Sequence, residues 1–262
     1  MSKPRSLSVY ERNQLLKYSY KESDLLTKGN LPVEYLTGFV DFAGLCLRVN
    51  PSVLIPRVET EEMVEMIKQF MFALSTTQNL NSGNFLEVGT GSGAISVAIF
   101  DFMQKQQLSY QMHVTDISAT ALETAKQNFM QFGDSTQIMQ QVRFLQMNLL
   151  SELPPSTFDV IVANLPYLPS ASLEFLDESV RDFEPHRALD GGADGFVLIN
   201  QLLEQIWQGQ FLRKTGKIFL EVDVSHTLDF LQNEYPDLLN RFAITPHFDQ
   251  FARHRFLVLE LL

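Results

Sequence analysis

The stretch NFLEVGTGSGAI, residues 84–95, joins an apolar run to three closely spaced glycines and then to further small and apolar residues. We predict a strand over 84–88 and a helix over 92–106. Glycine at 89, 91 and 93 lets the main chain turn tightly and approach a ligand without a Cβ in the way. The stretch therefore favours a ligand-binding loop at a strand end over an ordinary turn between a strand and a helix.

The alternation of strand and helix continues to the end of the chain. Strands are predicted at 84–88, 111–116, 142–147, 158–164, 216–222, 242–248 and 255–261, and helices at 92–106, 118–132, 194–207 and 225–233. Such alternation predicts a parallel sheet covered on both faces, with the last two strands as a final pair. The predicted fold class is α/β, with a seven-stranded, mostly parallel sheet and an antiparallel terminal strand. Ligands in such sheets bind at the carboxyl ends of the strands.

The first 80 residues show a different pattern. Residues 8–28 predict one or two short helices, residues 34–50 a β-hairpin around Ala43 and Gly44, and residues 59–74 a helix. Residues 75–83 predict a polar linker. We divide the chain into a shortened N-terminal helical region at 1–33, a hairpin and linking helix at 34–80, and the main α/β domain at 81–262.

Composition narrows the classes of function. The chain has 262 residues, a formal net charge of -11 and a pI near 4.9. Nucleic-acid-binding proteins usually carry a basic face, so this charge favours a protein partner or a cationic cosubstrate and no direct nucleic-acid binding.

The single cysteine, Cys46, is expected to be a small buried residue in a strand. No signal peptide or membrane-spanning apolar run is visible, so we expect a cytoplasmic protein without membrane contact. We also expect a monomer.

The glycine loop can be compared with known nucleotide-binding motifs. A dinucleotide fingerprint has glycine where Ala94 stands, although alanine is tolerated there, and the residues that a phosphate-binding loop or a nucleophile elbow needs are absent. The form (D/E)xGxGxG resembles motif I of S-adenosylmethionine methyltransferases. That resemblance implies S-adenosyl-L-methionine as the cofactor, bound by Glu87, Gly89, Thr90, Gly91, Ser92 and Gly93. An acidic residue at position 87 suits the cationic methionine end of this cofactor.

The second and third strand ends supply further cofactor contacts. Asp116 ends a predicted strand, where a carboxylate can accept hydrogen bonds from both hydroxyls of a ribose. The alternative is that Asp116 caps the next helix, a role that Ser118 can also fill. NAD and S-adenosylmethionine both contain adenosine, so Asp116 does not separate them. In methyltransferases the third strand end faces the adenine. We assign Asn148 and Leu149 to that contact and add Ile117 to the cofactor site.

The fourth strand end decides the reaction class. Asn164-Leu165-Pro166-Tyr167 resembles the (N/D)-P-P-(Y/F/W) motif of amino methyltransferases, in which the asparagine oxygen and the next main-chain carbonyl accept the two N–H bonds of a planar NH₂ group. Leu165 keeps that carbonyl, Pro166 stiffens the turn and Tyr167 can stack on the substrate. The proline ring lost at position 165 is expected to weaken preorganisation. We predict these four residues as the catalytic group, with Asn164 also touching the cofactor. The alternative is a plain X-Pro turn.

Several separated motifs narrow the resemblance to one family. They are LPVEYLTG at 31–38, VLIPRVETE at 53–61, FEPHRALDGGADG at 183–195, GKIFLEV at 216–222 and the stretch from Asp249 to Arg255. Together they resemble the HemK-type release factor glutamine methyltransferases over residues 31–262, with Asp223 and His226 as departures. The resemblance implies a Rossmann-like class I methyltransferase fold. It also implies that the substrate is the Gly-Gly-Gln glutamine of a peptide chain release factor, methylated at N5.

Three other functions fit the same motifs. A ribosomal-protein glutamine methyltransferase shares them, and an N6-adenine nucleic-acid methyltransferase uses the same Asn-X-Pro-Tyr pocket. A non-catalytic S-adenosylmethionine-binding protein would tolerate the leucine in the fourth motif. No metal is expected, because the five histidines show no metal-ligand spacing.

Side chains outside the main motifs also carry expectations. Arg57 either pairs with Glu61 across one helical turn or forms a wall of the site. Trp207 is expected in the core, and His113 is expected to be a hydrogen-bonded core residue of a strand.

Overall fold

The computed structural model describes residues 5–77 and 82–262, and its N-terminal part contains short helices and a β-hairpin. These elements are α1 (Val9–Lys17), α2 (Glu22–Leu26), α3 (Val33–Thr37), β1 (Phe39–Phe42) and β2 (Leu45–Arg48). Ser8 and Glu11 form a capping box that starts α1. Residues 8–28, where one or two short helices were predicted, contain two, and the hairpin around Ala43 and Gly44 is confirmed. The sequence prediction missed α3, because five residues are too few to show a helical period.

A long helix, α4 (Val58–Thr77), connects the hairpin to the sheet. It is longer than the predicted range of 59–74. Its buried residues have the expected helical spacing: Met63, Val64, Ile67, Met71 and Leu74. Residues 75–77 of the predicted polar linker continue this helix. Residues 78–81 of that linker lie outside the described residues, and the first strand of the sheet begins at Ser82.

The sheet has seven strands. They are β3 (Ser82–Val88), β4 (Ser109–Asp116), β5 (Val142–Gln146), β6 (Phe158–Ala163), β7 (Leu212–Glu221), β8 (Phe242–Phe248) and β9 (His254–Leu261), in the order β5-β4-β3-β6-β7-β9-β8. All neighbouring pairs from β5 to β7 are parallel, and β9 runs antiparallel to both β7 and β8. The predicted fold class is confirmed, and the antiparallel terminal strand lies inside the sheet. The direction of the strand order reverses between β3 and β6, which is where ligands bind in such sheets.

Helices cover both faces of the sheet. They are α5 (Ala94–Gln106), α6 (Ala119–Phe132), α7 (Ser135–Gln141), α8 (Glu178–Arg181), α9 (Val197–Gly209), α10 (Leu228–Glu234) and α11 (Pro236–Leu239). Successive residues of β3, such as Phe85 and Leu86, fall in separate hydrophobic clusters on the two faces. The sequence prediction missed α7, which begins after the capping side chain of Asp134. It also started α9 three residues too early.

Some expectations about single side chains were wrong. Trp207 lies in the last turns of α9 and is 41% exposed, with its ring against Phe242 and the Arg241 guanidinium. Cys46 is only half-buried, and its Sγ lies 2.9 Å from the hydroxyl of Tyr18. His113 is buried in β4 as expected, but its Nδ1 has no hydrogen-bond partner among the described residues. Helical and strand periodicity predicts which face is apolar, and does not predict where that face ends.

No helix within residues 5–77 and 82–262 has the length and apolar character needed to cross a membrane. The same residues contain no cluster of three or more His, Cys, Asp or Glu side chains that could hold a metal ion.

Candidate active site

A cavity of about 600 Å³ lies at the carboxyl edge of the sheet, beside the ends of β3, β4, β5 and β6. Sites for small molecules usually have volumes of roughly 300–1,000 Å³. Most residues predicted from the strand ends line this cavity: Glu87, Gly89, Thr90, Gly91, Ser92, Asp116, Ile117, Asn148, Leu149, Asn164, Leu165 and Pro166. Gly93 and Tyr167 are not among the lining residues. The four strand ends thus converge on one site, as the sequence predicts.

The glycine loop has the backbone conformation for which glycine is needed. Gly89, Gly91 and Gly93 have φ values of 74°, 55° and 81°, in the left-handed region. The N–H groups of Gly89 and Thr90 both donate to the carbonyl oxygen of Thr115, at 2.9 Å each, which fixes the loop to β4. A Cβ added at Gly91 would meet nothing within 4 Å. The bare main chain therefore leaves open space at the cavity wall.

Gly93 has a different role from the other two glycines. A Cβ at this position would lie 3.0 Å from the Cβ of Ala125 in α6. Gly93 therefore allows α5 to start in close contact with α6. The structure supports a packing role for Gly93, and gives it no contact with the cavity.

Glu87 is a buried acid at the end of β3. Its Oε2 accepts hydrogen bonds from Thr90 Oγ1, at 2.6 Å, and from the hydroxyl of Ser96. Burial raises the pKa of Glu87 to about 7, because the ionised carboxylate loses hydration, and the two hydroxyl donors only partly oppose this rise. A cation bound in the cavity would favour the ionised form of Glu87.

Asp116 is fixed at the end of β4 by two main-chain donors. Its Oδ2 accepts from the N–H of Gly91 at 2.9 Å, and its Oδ1 accepts from the N–H of Ser118 at 2.8 Å. Ser118 Oγ accepts from the N–H of Ala121 and caps α6, so the helix-cap alternative for Asp116 is wrong. Burial raises the pKa of Asp116, and these hydrogen bonds and the Arg187 guanidinium oppose that rise. Arg187 also lines the cavity, and the sequence prediction did not include it among the site residues.

The third strand end forms an apolar wall with one amide. Leu149 has φ 51°, a left-handed conformation that is unusual for leucine, and it lines the cavity. Ile117 is 46% exposed, although it is a large apolar residue. The exposed Asn148 completes this wall. The three side chains offer a flat ligand two apolar contacts and one hydrogen-bonding group.

Asn164 directly follows β6, and its amide nitrogen is hydrogen-bonded to two acceptors. Nδ2 donates to Thr60 Oγ1 at 3.2 Å and to Glu221 Oε2 at 3.0 Å. Neither Asn164 Oδ1 nor the main-chain oxygen of Leu165 accepts a hydrogen bond from any described residue. Both residues line the cavity. Two unpaired acceptors therefore lie at adjacent positions of the fourth strand end.

Glu221, at the end of β7, lies outside the cavity lining and is hydrogen-bonded to three side chains near the end of β6. It is 1% exposed, and its carboxylate accepts hydrogen bonds from Thr60 Oγ1 at 2.6 Å, from Asn164 and from the Tyr167 hydroxyl at 3.0 Å. Burial raises the pKa of Glu221, while the hydroxyl donors and the Arg255 guanidinium oppose that rise. Burial also raises the pKa of Tyr167. The hydroxyl of Tyr167 thus belongs to this network, and its predicted stacking on a substrate stays a prediction.

The motif at 183–195 supports the fourth strand end. The N–H of Leu168 donates to the carbonyl of Leu189 at 3.1 Å, and the N–H of Gly191 donates back to the carbonyl of Leu168 at 2.8 Å. A Cβ at Gly191 would lie 2.6 Å from the carbonyl oxygen of Pro166. Glycine is therefore needed for the two segments to pack this closely, which explains why the sequence carries both motifs.

His226 fixes the far end of the same motif. Its Nδ1 accepts from the N–H of Asp223 at 3.2 Å, so Nε2 carries the proton and donates to the carbonyl of Asp194 at 3.0 Å. Burial lowers the pKa of His226, which keeps the ring neutral. The two residues noted as departures from the family pattern thus bond to each other and hold the loop in place.

Arg57 is a wall of the site and does not pair with Glu61. Its Nη2 forms an ion pair with Glu184 Oε1 at 2.6 Å. The alternative pairing with Glu61 fails because α4 begins at Val58, so Arg57 precedes the helix and its side chain can reach the loop after β6. Glu184 also accepts a hydrogen bond from the N–H of Ile55. This pair connects the segment before α4 to the motif at 183–195.

Known proteins are similar in sequence to this chain over most of its length. The model of the methyltransferase small domain matches residues 68–181. A release factor glutamine methyltransferase from Rhodopirellula baltica is 37% identical, over 79% of this chain and 68% of its own length. One from Streptococcus pneumoniae is 30% identical over 98% and 83%. A human MTRF1L release factor glutamine methyltransferase is 34% identical over 87% of this chain, which spans 66% of that protein's length.

Solved structures share the fold at low sequence identity. The N-terminal domain of human METTL16 superposes with a TM-score of 0.57 at 12% identity, over all of this chain and 97% of that one. The structure of the N-terminal domain of human METTL16 in complex with SAH gives 0.54 at 13% identity, over 84% and 76%. These likenesses concern the fold.

Proposed function

We propose, from the premise that this chain belongs to the family of release factor glutamine methyltransferases, that it methylates the side-chain nitrogen N5 of a protein glutamine. The methyl donor is S-adenosylmethionine. The substrate is the glutamine of the Gly-Gly-Gln motif in a peptide chain release factor. Support comes from the separated sequence motifs and from identities of 30–37% to proteins of that name.

The cavity fits S-adenosylmethionine in space and in charge. Gly91 leaves room beside the main chain, and Glu87 places a carboxylate where a cationic group would bind. Asp116 would accept hydrogen bonds from the ribose, and Asn148 and Leu149 would contact the adenine. When bound, S-adenosylmethionine supplies a methyl group carried on a positively charged sulfur.

The orientation of the Asn164 amide is the observation that carries the proposal. The nitrogen end of the Asn164 amide bonds to Thr60 and Glu221, so Oδ1 is the atom left for a substrate. The carbonyl oxygen of Leu165 provides a second acceptor. A primary amide has two N–H bonds in one plane, and two adjacent acceptors match them. The site therefore fits a planar NH₂ group.

These acceptors can also promote the reaction. By holding both N–H bonds, Asn164 and Leu165 fix the plane of the glutamine amide and place its nitrogen in line for methyl transfer. In the transfer a bond would form between the amide nitrogen and the methyl carbon while the bond from that carbon to sulfur breaks, which leaves a neutral thioether. Positive charge develops on the N–H groups until one of their protons passes to solvent. The two oxygens point their dipoles at that charge before the reaction starts. Neither a metal nor a side-chain nucleophile takes part in this arrangement of residues.

The test is incubation of the full chain with a purified release factor and S-adenosylmethionine labelled in the methyl group. Peptide mass spectrometry should find one added methyl group on the glutamine of the Gly-Gly-Gln peptide. A release factor with that glutamine replaced by alanine is the matched control and should stay unlabelled. Label on a ribosomal protein or on adenine in nucleic acid, with none on the release factor, would contradict the proposed substrate.

A further inference from the structure

We propose that Glu221 is a positioning residue for methyl transfer: together with Thr60 it fixes which end of the Asn164 amide faces the substrate. The inference rests on the proposed function, because it concerns the same acceptor, Asn164 Oδ1. Glu221 does not line the cavity, and it acts through Asn164. Its strand, β7, lies next to the strand that ends at Asn164.

While Glu221 is ionised, the available hydrogens favour one orientation of the amide. An ionised carboxylate accepts hydrogen bonds and donates none, and a hydroxyl has a single hydrogen. Thr60 donates that hydrogen to Glu221 Oε2 at 2.6 Å, so the oxygen of Thr60 can only accept from Asn164. Both neighbours of the Asn164 amide are therefore acceptors. They hold its nitrogen end and leave Oδ1 toward the cavity.

The reversed orientation is unfavourable for two reasons. It would place Oδ1 of Asn164, the negative end of the amide dipole, against the negatively charged carboxylate of Glu221, and neither group has a hydrogen to share. It would also present NH₂ groups to the NH₂ of the substrate, so donors would face donors. Glu221 therefore lowers the free energy of the orientation in which Asn164 presents its oxygen to the substrate, relative to the orientation in which it presents its NH₂ group.

This arrangement depends on the ionised form of Glu221. A protonated carboxyl could donate to Asn164 Oδ1 and would permit the reversed amide. The charged and titratable groups that face Glu221 are Tyr167 after β6, Arg255 on β9 and Glu59 on α4. Arg255 favours the ionised form, whereas burial and the negative charge of Glu59 disfavour it. The turnover rate at saturating substrate should therefore fall in acid as Glu221 takes up a proton.

The decisive variant is Glu221→Gln in the full chain. It keeps the size of the side chain and introduces an NH₂ group that can donate to Asn164 Oδ1. We expect kcat to fall on the order of tenfold to a hundredfold, as for loss of a hydrogen bond to a charged group, with little change in KM for the release factor or in cofactor affinity. The acid limb of the wild-type kcat profile should disappear. Glu59→Gln is the matched control, because it removes a charge beside Thr60 that pairs with Arg253, and its kcat at neutral pH should equal that of the wild type.

Thr60 provides a second, independent test. Thr60→Val removes the hydroxyl and should lower kcat, whereas Thr60→Ser keeps the hydroxyl and should restore it. The side-chain NH₂ resonance of Asn164 in ¹H–¹⁵N NMR spectra, identified by its loss in Asn164→Asp, should shift in Glu221→Gln and stay in place in Glu59→Gln. A wild-type kcat in Glu221→Gln, or equal activity of the Val and Ser variants, would overturn the positioning role. Failure of the wild-type chain to label the release factor would instead refute the proposed function, and the NMR result would still decide the orientation of Asn164.

Discussion

Leu165 packs directly against Gly89: a Cβ added at Gly89 would lie 2.8 Å from Leu165 Cδ2. The side chain at the position where the related motif has proline therefore touches the glycine loop of the first strand end. The carbonyl of Leu165 is a proposed acceptor for the substrate, and the loop is the proposed cradle of the cofactor. The two halves of the site are thus in direct contact.

This contact makes Gly89→Ala a test of the loop. The new Cβ would be strained, because φ is 74°, and it would also push against Leu165. We expect cofactor affinity to fall about tenfold or more, together with a loss of roughly 1 kcal/mol or more in the free energy of unfolding. Isothermal titration calorimetry and urea denaturation measure the two effects.

Gly44→Ala is a matched control for that experiment. Gly44 has φ 77° in the hairpin turn, and a Cβ there would meet nothing within 4 Å. It should lose a similar amount of stability from backbone strain and keep the wild-type affinity for S-adenosylmethionine. Equal affinities in the two variants would show that the approach of Leu165 to Gly89 has no part in cofactor binding.

The sequence predicted the strand-end residues because each lies within a short local pattern, such as the glycine loop or the residues from Asn164 to Tyr167. It missed Thr60 and Glu221, which are 104 and 57 residues away from Asn164 in the chain. A carboxylate at the end of an otherwise apolar strand, GKIFLEV, was the available signal for Glu221. Nothing local to Thr60 indicates its contact, because only the packing of α4 near β7 brings it there.

Asp116→Ala should weaken S-adenosylmethionine binding. The carboxylate holds the N–H of Gly91 and is the proposed ribose acceptor, so both a cofactor contact and the loop conformation are lost. We expect affinity to fall on the order of tenfold to a hundredfold, the range for hydrogen bonds to a charged group. Asp134→Ala is the control: it removes the carboxylate that caps α7, which costs about 1 kcal/mol of stability, and should leave affinity near the wild-type value, because Asp134 does not line the cavity. An unchanged affinity in Asp116→Ala would remove Asp116 from the proposed cofactor site.

Asn164→Ala should separate chemistry from cofactor binding. It removes the proposed acceptor Oδ1 but leaves the glycine loop and Asp116 in place. We expect kcat to fall roughly a hundredfold to a thousandfold, as for loss of a preorganised hydrogen-bonding group, with S-adenosylmethionine affinity within about twofold of the wild type. Single-turnover methylation of the release factor and calorimetry measure the two quantities. A variant that binds the cofactor normally and methylates at the wild-type rate would contradict the role of Asn164.

The raised pKa of Glu87 predicts how cofactor binding depends on pH. Its pKa is raised to about 7 in the protein without ligand, above the ordinary value of 4.5. Protonated Glu87 thus stabilises the ligand-free fold, and this contribution is present below about pH 4.5 and lost as pH rises through about 7. A cationic ligand prefers the ionised carboxylate, so binding has the opposite dependence. Affinity for S-adenosylmethionine should rise with pH up to about 7 and then level off.

Glu87→Gln tests the origin of this pH dependence. Glutamine keeps the shape and can still bond to the hydroxyls of Thr90 and Ser96, but it does not titrate. Calorimetric affinities of the variant should be lower than those of the wild type above pH 7 and should change little with pH near 7. The ligand-free variant should also lose less stability than the wild type between mildly acidic and neutral pH, because it has no proton to release. If the variant keeps the wild-type pH profile of affinity, the titrating group is not Glu87, and the proposed contact with the cationic end of the cofactor fails.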